Sequence, residues 1–454
     1  MNTSRRNFLK AAAAVSLFNI VPAHVLRGET APSNQITRAL IGFGGIAHSG
    51  NHLGFKGSRL IGLCDPDQTR VQNGLASAEK AGWGKVKAYE NFIKLLEDPD
   101  VDVVHICTPP HWHAVQSVMA ARAGKDIWCE KPMTRTVGEG RRVMEYVKAK
   151  GRMFRLNTWF RFKDTFYGFG TPVKPIRQAV ENGLVATPGK PIRCIVGAGQ
   201  GFDWKFFWSG KVNVAPQPCP PTFDWEMWLG PAPWKPYSPD RGHGNFRGYW
   251  DYDSGGLGDM AQHYLDPVQY LLGKDAEFPV KIDYVGPRQH PEVVGRFDRI
   301  TLTYADGTEV ILDGNGSLKD APFLAGDRAT VWPVNARKNV ARPAAWGEAA
   351  KRAFRMFDAS GKELNTAGLL AELPQPAAQQ TDFMDSVRTR KRFCLNEETG
   401  FHSSAMFNLA IVAERLGRGF TFDPDAFRAK DDPAADRFLF QSHRSPWDAE
   451  FLKA

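Results

Sequence analysis

The chain has 454 residues, 43% of them hydrophobic and 24% charged, with a formal net charge of +9. This composition excludes a disordered chain, a collagen and a polytopic membrane protein, and the length predicts two or three domains. Basic residues are spread along the chain, without a long basic run or a zinc-finger spacing, which argues against a nucleic-acid partner.

Residues Ser4-Arg5-Arg6-Asn7-Phe8-Leu9-Lys10 resemble a twin-arginine export signal, and the apolar stretch Ala11 to Val21 that follows is too short to span a bilayer. Small residues in Val21-Pro22-Ala23 predict cleavage after Ala23, and an uncleaved membrane tether is the alternative. Residues 1–30 are therefore read as signal and linker, the export machinery as a partner and the periplasm as the destination. The cysteines Cys64, Cys107, Cys129, Cys194, Cys219 and Cys394 form no C-x-x-C pair. The first three close apolar runs and read as buried thiols; an oxidising compartment would permit a disulfide, which spacing cannot pair.

From residue 36 strand and helix patterns alternate. Strands are predicted at 36–41, 59–64, 86–89, 101–107, 126–129 and 153–157, with helices over 113–123 and 137–150. This alternation predicts a doubly wound parallel sheet over residues 36–157. The remainder, 158–454, reads as a substrate-binding and oligomerisation α+β domain with an open, mostly antiparallel sheet. Strands are expected at 280–285, 299–304 and 308–313, the last two joined by the Ala305-Asp306-Gly307 hairpin. A C-terminal helix is expected at 403–417, capped by Ser403 and closed by Gly417.

The first strand runs into Gly42-Phe43-Gly44-Gly45-Ile46-Ala47, a G-x-G-x-x-A between strand and helix. Gly42 permits the tight turn, Gly44 lets backbone approach a pyrophosphate, and Ala47 lets helix and strand pack closely; Gly45 and Ile46 open the helix on which phosphates would rest. Asp65 ends the second strand, 23 residues after Gly42, where a carboxylate accepts from ribose hydroxyls and repels a 2′-phosphate. The expected cofactor is NAD rather than NADP.

Ligands of such sheets bind beyond the carboxyl ends of the strands. Two clusters fall there: Thr108-Pro109-Pro110-His111-Trp112-His113 and Glu130-Lys131-Pro132. Thr108, Pro109, His113 and Glu130 are candidate cofactor contacts. His111 and His113 lack a nearby acidic or cysteine ligand, so no metal is expected. Lys131 closes a core strand, and desolvation beside a cationic ring would lower its pKa into the range of a general base. Later, Ser254-Gly255-Gly256-Leu257-Gly258 precedes Asp259 and His263, which share a helical face. They read either as a buried, packing Asp–His pair or as a proton relay and hydroxyl anchor facing Lys131.

Taken together, Gly42–Ala47, Asp65, Thr108-Pro109, Glu130-Lys131-Pro132 and Asp259-x-x-x-His263 resemble the Gfo/Idh/MocA oxidoreductase family, in its exported bacterial subgroup. The resemblance implies a Rossmann domain followed by an α/β domain whose open sheet often forms a dimer. It also implies Lys131 as the acid/base, with Asp259 and His263 binding the reacting hydroxyl, and a homodimer or homotetramer. Residues 200–250 and 315–375 are long for compact members, which puts the substrate in question.

Residues 202–252 hold 14 aromatics, against 12% of the whole chain. They are expected either to pack an insertion or to offer a stacking surface for a sugar. Tyr252 and Arg161 are the candidate substrate contacts. The expected chemistry is hydride transfer between a sugar, polyol or glycoside carbon and a tightly bound nicotinamide. The alternative is a hydrolase, lyase or epimerase acting through a transient keto-sugar.

Overall fold

A computed structural model describes residues 35–48, 57–158, 160–161, 166, 172–333 and 354–452. The export motif, its cleavage site and part of the long 315–375 stretch lie outside the described residues. In the first unit β1 (Ile36–Ile41), α1 (Gly45–His48), β2 (Ser58–Cys64), α2 (Gln68–Lys80), β3 (Lys87–Ala88), α3 (Phe92–Leu96), β4 (Val103–Ile106), α4 (His113–Arg122), β5 (Asp126–Glu130), α5 (Val137–Ala149) and β6 (Phe154–Asn157) follow one another. The strands are parallel in the order β3-β2-β1-β4-β5-β6, the doubly wound sheet expected. Both faces are covered, so β1 and β4 read as near-continuous apolar runs. Leu40 packs with Phe43, Leu60 and Leu63 under α2, while Ala39 and Ile41 face the main core. Thr136 and Glu139 close a reciprocal capping box at the start of α5. The strand order reverses between β1 and β4, which opens a crevice beyond their carboxyl ends.

The second unit comprises α6 (Val173–Glu181), β7 (Arg193–Gly197), α7 (Trp225–Leu229), α8 (Gly255–Leu272), β8 (Lys281–Val285), β9 (Arg299–Thr303), β10 (Glu309–Asp313), β11 (Leu324–Ala325), β12 (Ala329–Pro333) and β13 (Phe354–Asp358). It continues with α9 (Thr366–Ala371), α10 (Phe383–Thr389), α11 (Glu397–Leu416), β14 (Phe420–Asp423), β15 (Arg428–Ala429), α12 (Pro433–Leu439) and α13 (Trp447–Leu452). The sheet order is β13-β12-β11-β7-β10-β9-β8-β14-β15. Among the described strands of this second sheet, only the β7–β10 pair is parallel. The β9–β10 hairpin turns at Gly307, φ +85°, with Tyr304 N–H donating to the Thr308 carbonyl at 2.8 Å. Helix α11 packs on β8, β9 and α8, and also on α5 of the first unit. The C-terminal segment thus returns to the parallel sheet: Leu156 N–H donates to the Leu395 carbonyl at 3.0 Å, and Arg390 pairs with Asp126 at 2.6 Å.

Helix α11 starts six residues before the expected Ser403. Its cap is Asn396, whose side chain accepts from the Glu398 and Thr399 N–H groups at 2.9 and 3.2 Å. The first turns read Glu397-Glu398-Thr399-Gly400, which favour the positive end of a helix but carry no apolar period. Ser403 is buried and accepts from Gln262 at 2.8 Å, while Gly417 closes the helix as expected. All six cysteines are free, and Cys64, Cys107 and Cys129 are buried.

Candidate active site

The turn after β1 is wedged between the ends of β2 and β4. Gly42 has φ +90°, and a Cβ there would stand 3.0 Å from the Cys107 carbonyl; its N–H donates to the Cys64 carbonyl at 2.8 Å. Only glycine satisfies both conditions. Asp65 accepts from the Phe43 N–H at 2.7 Å and the Asp67 N–H at 2.9 Å, so it also holds the turn in shape. Burial raises its pKa, opposed by those N–H groups and by the charge of Arg70. Beyond the turn opens a cleft lined by Gly42, Gly44, Asp65, Arg70, Thr108 and Pro109. Among the described residues, nothing lies within 4 Å of a Cβ built on Gly45, and Gly44 meets only the Arg70 guanidinium at 3.2 Å. A glycine cradle at a helix start, a carboxylate on one flank and a guanidinium over the turn fit a dinucleotide. Ile46 stands exposed on α1. Arg70 was not foreseen; it lies on the first turn of α2, where a helix following β2 points a side chain back over the crevice.

Lys131 leaves the end of β5 on the same carboxyl edge. Its Nζ donates to the Asp259 backbone carbonyl at 2.9 Å and to the Asp259 carboxylate. The other Asp259 oxygen receives Arg247 Nε. His263, one turn along α8, shares a hydrogen bond with Thr158 Oγ1 at 2.8 Å, and the Phe160 ring meets it edge-on. Asp259 and His263 therefore do share a face, and that face meets Lys131. The glycine run brings this helix start against other backbone: a Cβ on Gly256 would fall 1.5 Å from the Trp204 carbonyl oxygen.

Electrostatics tune the group. Burial lowers the Lys131 pKa to about 8, opposed by Asp253 and reinforced by Arg247. Burial, with the Lys131 charge, pushes His263 well below its ordinary value, so it is a neutral imidazole. Asp253 is 1% exposed, and among the described residues neither of its oxygens finds a hydrogen-bond partner. Burial raises it to about 7 against the pull of Arg247, Lys131 and Arg135. Arg247 and Asp253 carry no spacing signal, since they belong to the irregular excursion before α8 and reach Lys131 only through tertiary packing.

Four candidates sit elsewhere than expected. Glu130 turns into the sheet rather than the cleft, accepting from Asn157 at 2.7 Å and bonding His105 Nε2 at 2.9 Å. His105, Cys107 and Glu130 bring ligand atoms within 4.8 Å of one another, but the Glu130 oxygen is held by these neighbours. His113 engages the Pro132 and Thr108 carbonyls at 2.6 and 2.8 Å, tying the two site-bearing loops together instead of facing the cleft. Arg161 is fully buried and paired with Asp266 and Asp275 at 2.7 Å, so it is a structural cation rather than a substrate contact. Tyr252 is also fully buried, its ring edge-on to Trp228. Trp225 and Trp228 stack at 4.6 Å in the same cluster, so this part of the excursion is packing, not an open sugar platform.

Two family models match this chain: "Oxidoreductase family, NAD-binding Rossmann fold" over residues 36–158 and "Oxidoreductase family, C-terminal alpha/beta domain" over 169–340 and 335–449. The chain belongs to the Gfo/Idh/MocA oxidoreductase family. Its first unit is the NAD-binding Rossmann fold of that family. This Gfo/Idh/MocA chain is similar to levoglucosan dehydrogenase of Pseudarthrobacter phenanthrenivorans, 27% identical over 44% of the chain and 40% of the relative. It is similar to myo-inositol 2-dehydrogenase of Thermotoga maritima, 28% identical over 33% and 42%. A glycosyl hydrolase family 109 protein of Shewanella putrefaciens is 29% identical over 30% and 35%. The matched stretches span less than half of each of these relatives. Among solved structures, the WlbA dehydrogenase from Bordetella pertussis, described in complex with NADH and UDP-GlcNAcA, shares the fold at TM-score 0.52 and 14% identity, over 86% of this chain and 99% of that one. The NAD-binding protein from Listeria innocua does so at TM-score 0.54 and 16% identity, over 85% and 97%.

Proposed function

We propose that this protein is an NAD-dependent oxidoreductase that interconverts a CH–OH group of a sugar, polyol or glycoside with the corresponding ketone. The observation that carries this reading is Lys131, half-buried at the carboxyl edge of the NAD-binding sheet and paired with Asp259, with His263 one helical turn further on. Bound NAD supplies a hydride acceptor at the nicotinamide. The chain's own groups do the rest. The neutral imidazole of His263 and the carboxylate of Asp259 hold the reacting hydroxyl, and Lys131, as the free amine, takes its proton. In reduction the Lys131 ammonium returns that proton to the carbonyl oxygen. Gly42 and Gly44 seat the pyrophosphate, and Asp65 takes the ribose hydroxyls. The named sugar and polyol dehydrogenases among the relatives support this substrate class.

A redox-neutral variant is favoured by one observation, the similarity to a family 109 glycosyl hydrolase. The experiment that tests both is a panel of sugars, polyols and glycosides incubated with the purified protein and NAD. Nicotinamide reduction in proportion to ketone formed supports the dehydrogenase. Glycoside cleavage or epimerisation without accumulating NADH replaces it with the variant.

The same reading includes export of the folded protein to the periplasm on the twin-arginine signal, with NAD bound tightly before export, and a homodimer or homotetramer formed through the open sheet. Fractionation of cells expressing the full chain, and of a variant with Arg5 and Arg6 replaced by lysine, tests the localisation.

A further inference from the structure

The aromatic excursion does something other than offer a sugar platform. Its segment 222–230 leaves the second unit and lies across one end of the dinucleotide cleft. On one side it pairs with the loop after β2. Phe223 bridges Asp67 in antiparallel fashion, Gln68 N–H donates to the Thr222 carbonyl, and Asp224 N–H donates to the Pro66 carbonyl, both at 2.9 Å. On the other side it is held by the loop after β4. The Trp228 carbonyl receives Trp112 Nε1 at 3.0 Å and bonds His111 Nε2 at 2.9 Å. These are the two loops that flank the crevice, so the segment spans it. Between the two anchors, Asp224, Met227 and Trp228 line the cleft opposite Asp65 and Pro109.

A third anchor comes from near the C-terminus. Arg444 N–H donates to the Pro231 carbonyl at 2.9 Å, its Nε donates to the Gly230 carbonyl at 3.1 Å, and its Nη1 pairs with Glu226 at 2.6 Å. A Cβ on Gly230 would fall 2.0 Å from the Trp112 ring, so the segment is seated directly on that indole.

We propose that residues 222–230 are a clasp over the adenosine half of the bound dinucleotide, with Met227 against the adenine ring and Asp224 beside it, so that the nucleotide leaves only when the clasp lifts. This rests on the reading of the cleft as the NAD site and deepens it. The chemistry agrees. Adenosine offers a flat, polarisable ring that a thioether packs well, and amine and hydroxyl donors that carboxylates accept. Lys131 lies beyond β5, on the far side of β4 from this end, so the clasp leaves the reacting end free for substrate to come and go. That is the arrangement a resident cofactor needs when it is recycled in place.

The test is nucleotide release from the full-length protein. NADH is bound, and its dissociation is followed by fluorescence after addition of excess ADP-ribose; retention is also read after gel filtration. The clasp predicts slow release and retained nucleotide in the natural protein. Arg444→Ala, which removes the side-chain contacts with Gly230 and Glu226 without touching the cleft, releases NADH about tenfold faster or more, as the loss of charge-assisted hydrogen bonds implies, while the single-turnover rate of hydride transfer with prebound nucleotide is unchanged. Met227→Ala weakens ADP-ribose binding itself. Urea midpoints show whether each variant is folded, and Arg444→Lys serves as the conservative partner if Arg444→Ala is not. Release at the natural rate from folded Arg444 and Met227 variants overturns the clasp. Slow, clasp-dependent release with no turnover of any carbohydrate leaves the clasp standing and overturns the proposed activity instead.

Discussion

Lys131 sits between opposing influences. Burial favours its neutral amine, while the adjoining Asp259 carboxylate favours the ammonium. Oxidation of an alcohol needs the amine, so kcat/KM in that direction rises with pH and levels off above about 8, while the reductive direction runs the opposite way. Asp259→Asn removes the counter-charge, which moves the rise to lower pH by about one unit as well as reducing the rate; pH profiles of both proteins check this. Lys131→Ala lowers kcat about 10²- to 10⁴-fold and leaves NADH binding intact, measured by the same fluorescence. Arg161 makes the opposite kind of prediction. With no exposure, on a carboxylate that is equally buried, Arg161→Ala strands the Asp266 charge and costs about 3–5 kcal/mol of stability. Among molecules that remain folded, KM for the carbohydrate is unchanged, which denaturant titration and steady-state kinetics together would show.

At the scale of elements, α11 carries an anomaly. Glu414 is 1% exposed, one of its oxygens finds no hydrogen-bond partner among the described residues, and burial raises its pKa to about 8. A carboxyl whose folded pKa exceeds its unfolded one binds more protons when folded. Its penalty is absent at acid pH and grows as pH rises from the unfolded value through the folded one. Glu414→Gln therefore stabilises the protein by about 3 kcal/mol at pH 8 and by little at pH 5, and urea unfolding at the two pH values measures the difference. Helix α8 shows how legible an element is when several signals agree. The glycine run, Asp259 and His263 mark its start in the sequence, while its close at Gly273 is a finding of the structure. The start of α11 lacked such agreement, because a polar, cap-rich first turn looks like a loop until Phe401 and Ala405 are seen packed in the core.

For the whole molecule, the junction of the two units decides whether there is a site. Gly256, packed within the second unit against the Trp204 carbonyl, sets where α8 presents Asp259 to that junction. Gly256→Ala drives a methyl into the Trp204 carbonyl, which costs about 3 kcal/mol or more and displaces Asp259 from Lys131. Thermal unfolding, together with kcat measured on the surviving fold, tests this. The parallel sheet, the glycine turn, Asp65, Lys131 and the Asp259–His263 pair were all legible in the sequence, because each rests on short-range requirements: strand period, a turn only glycine can make, helical spacing. Family resemblance then joined them. Arg247, Asp253 and Arg70 at the site, the inward turn of Glu130 and His113, the structural pairing of Arg161, and the passage of residues 222–230 over the cleft were decided only by tertiary structure. In each case the outcome depends on which groups from other elements lie opposite, from the neighbouring strand for Glu130 to a helix 105 residues away for Arg161, and local sequence carries no record of that partner.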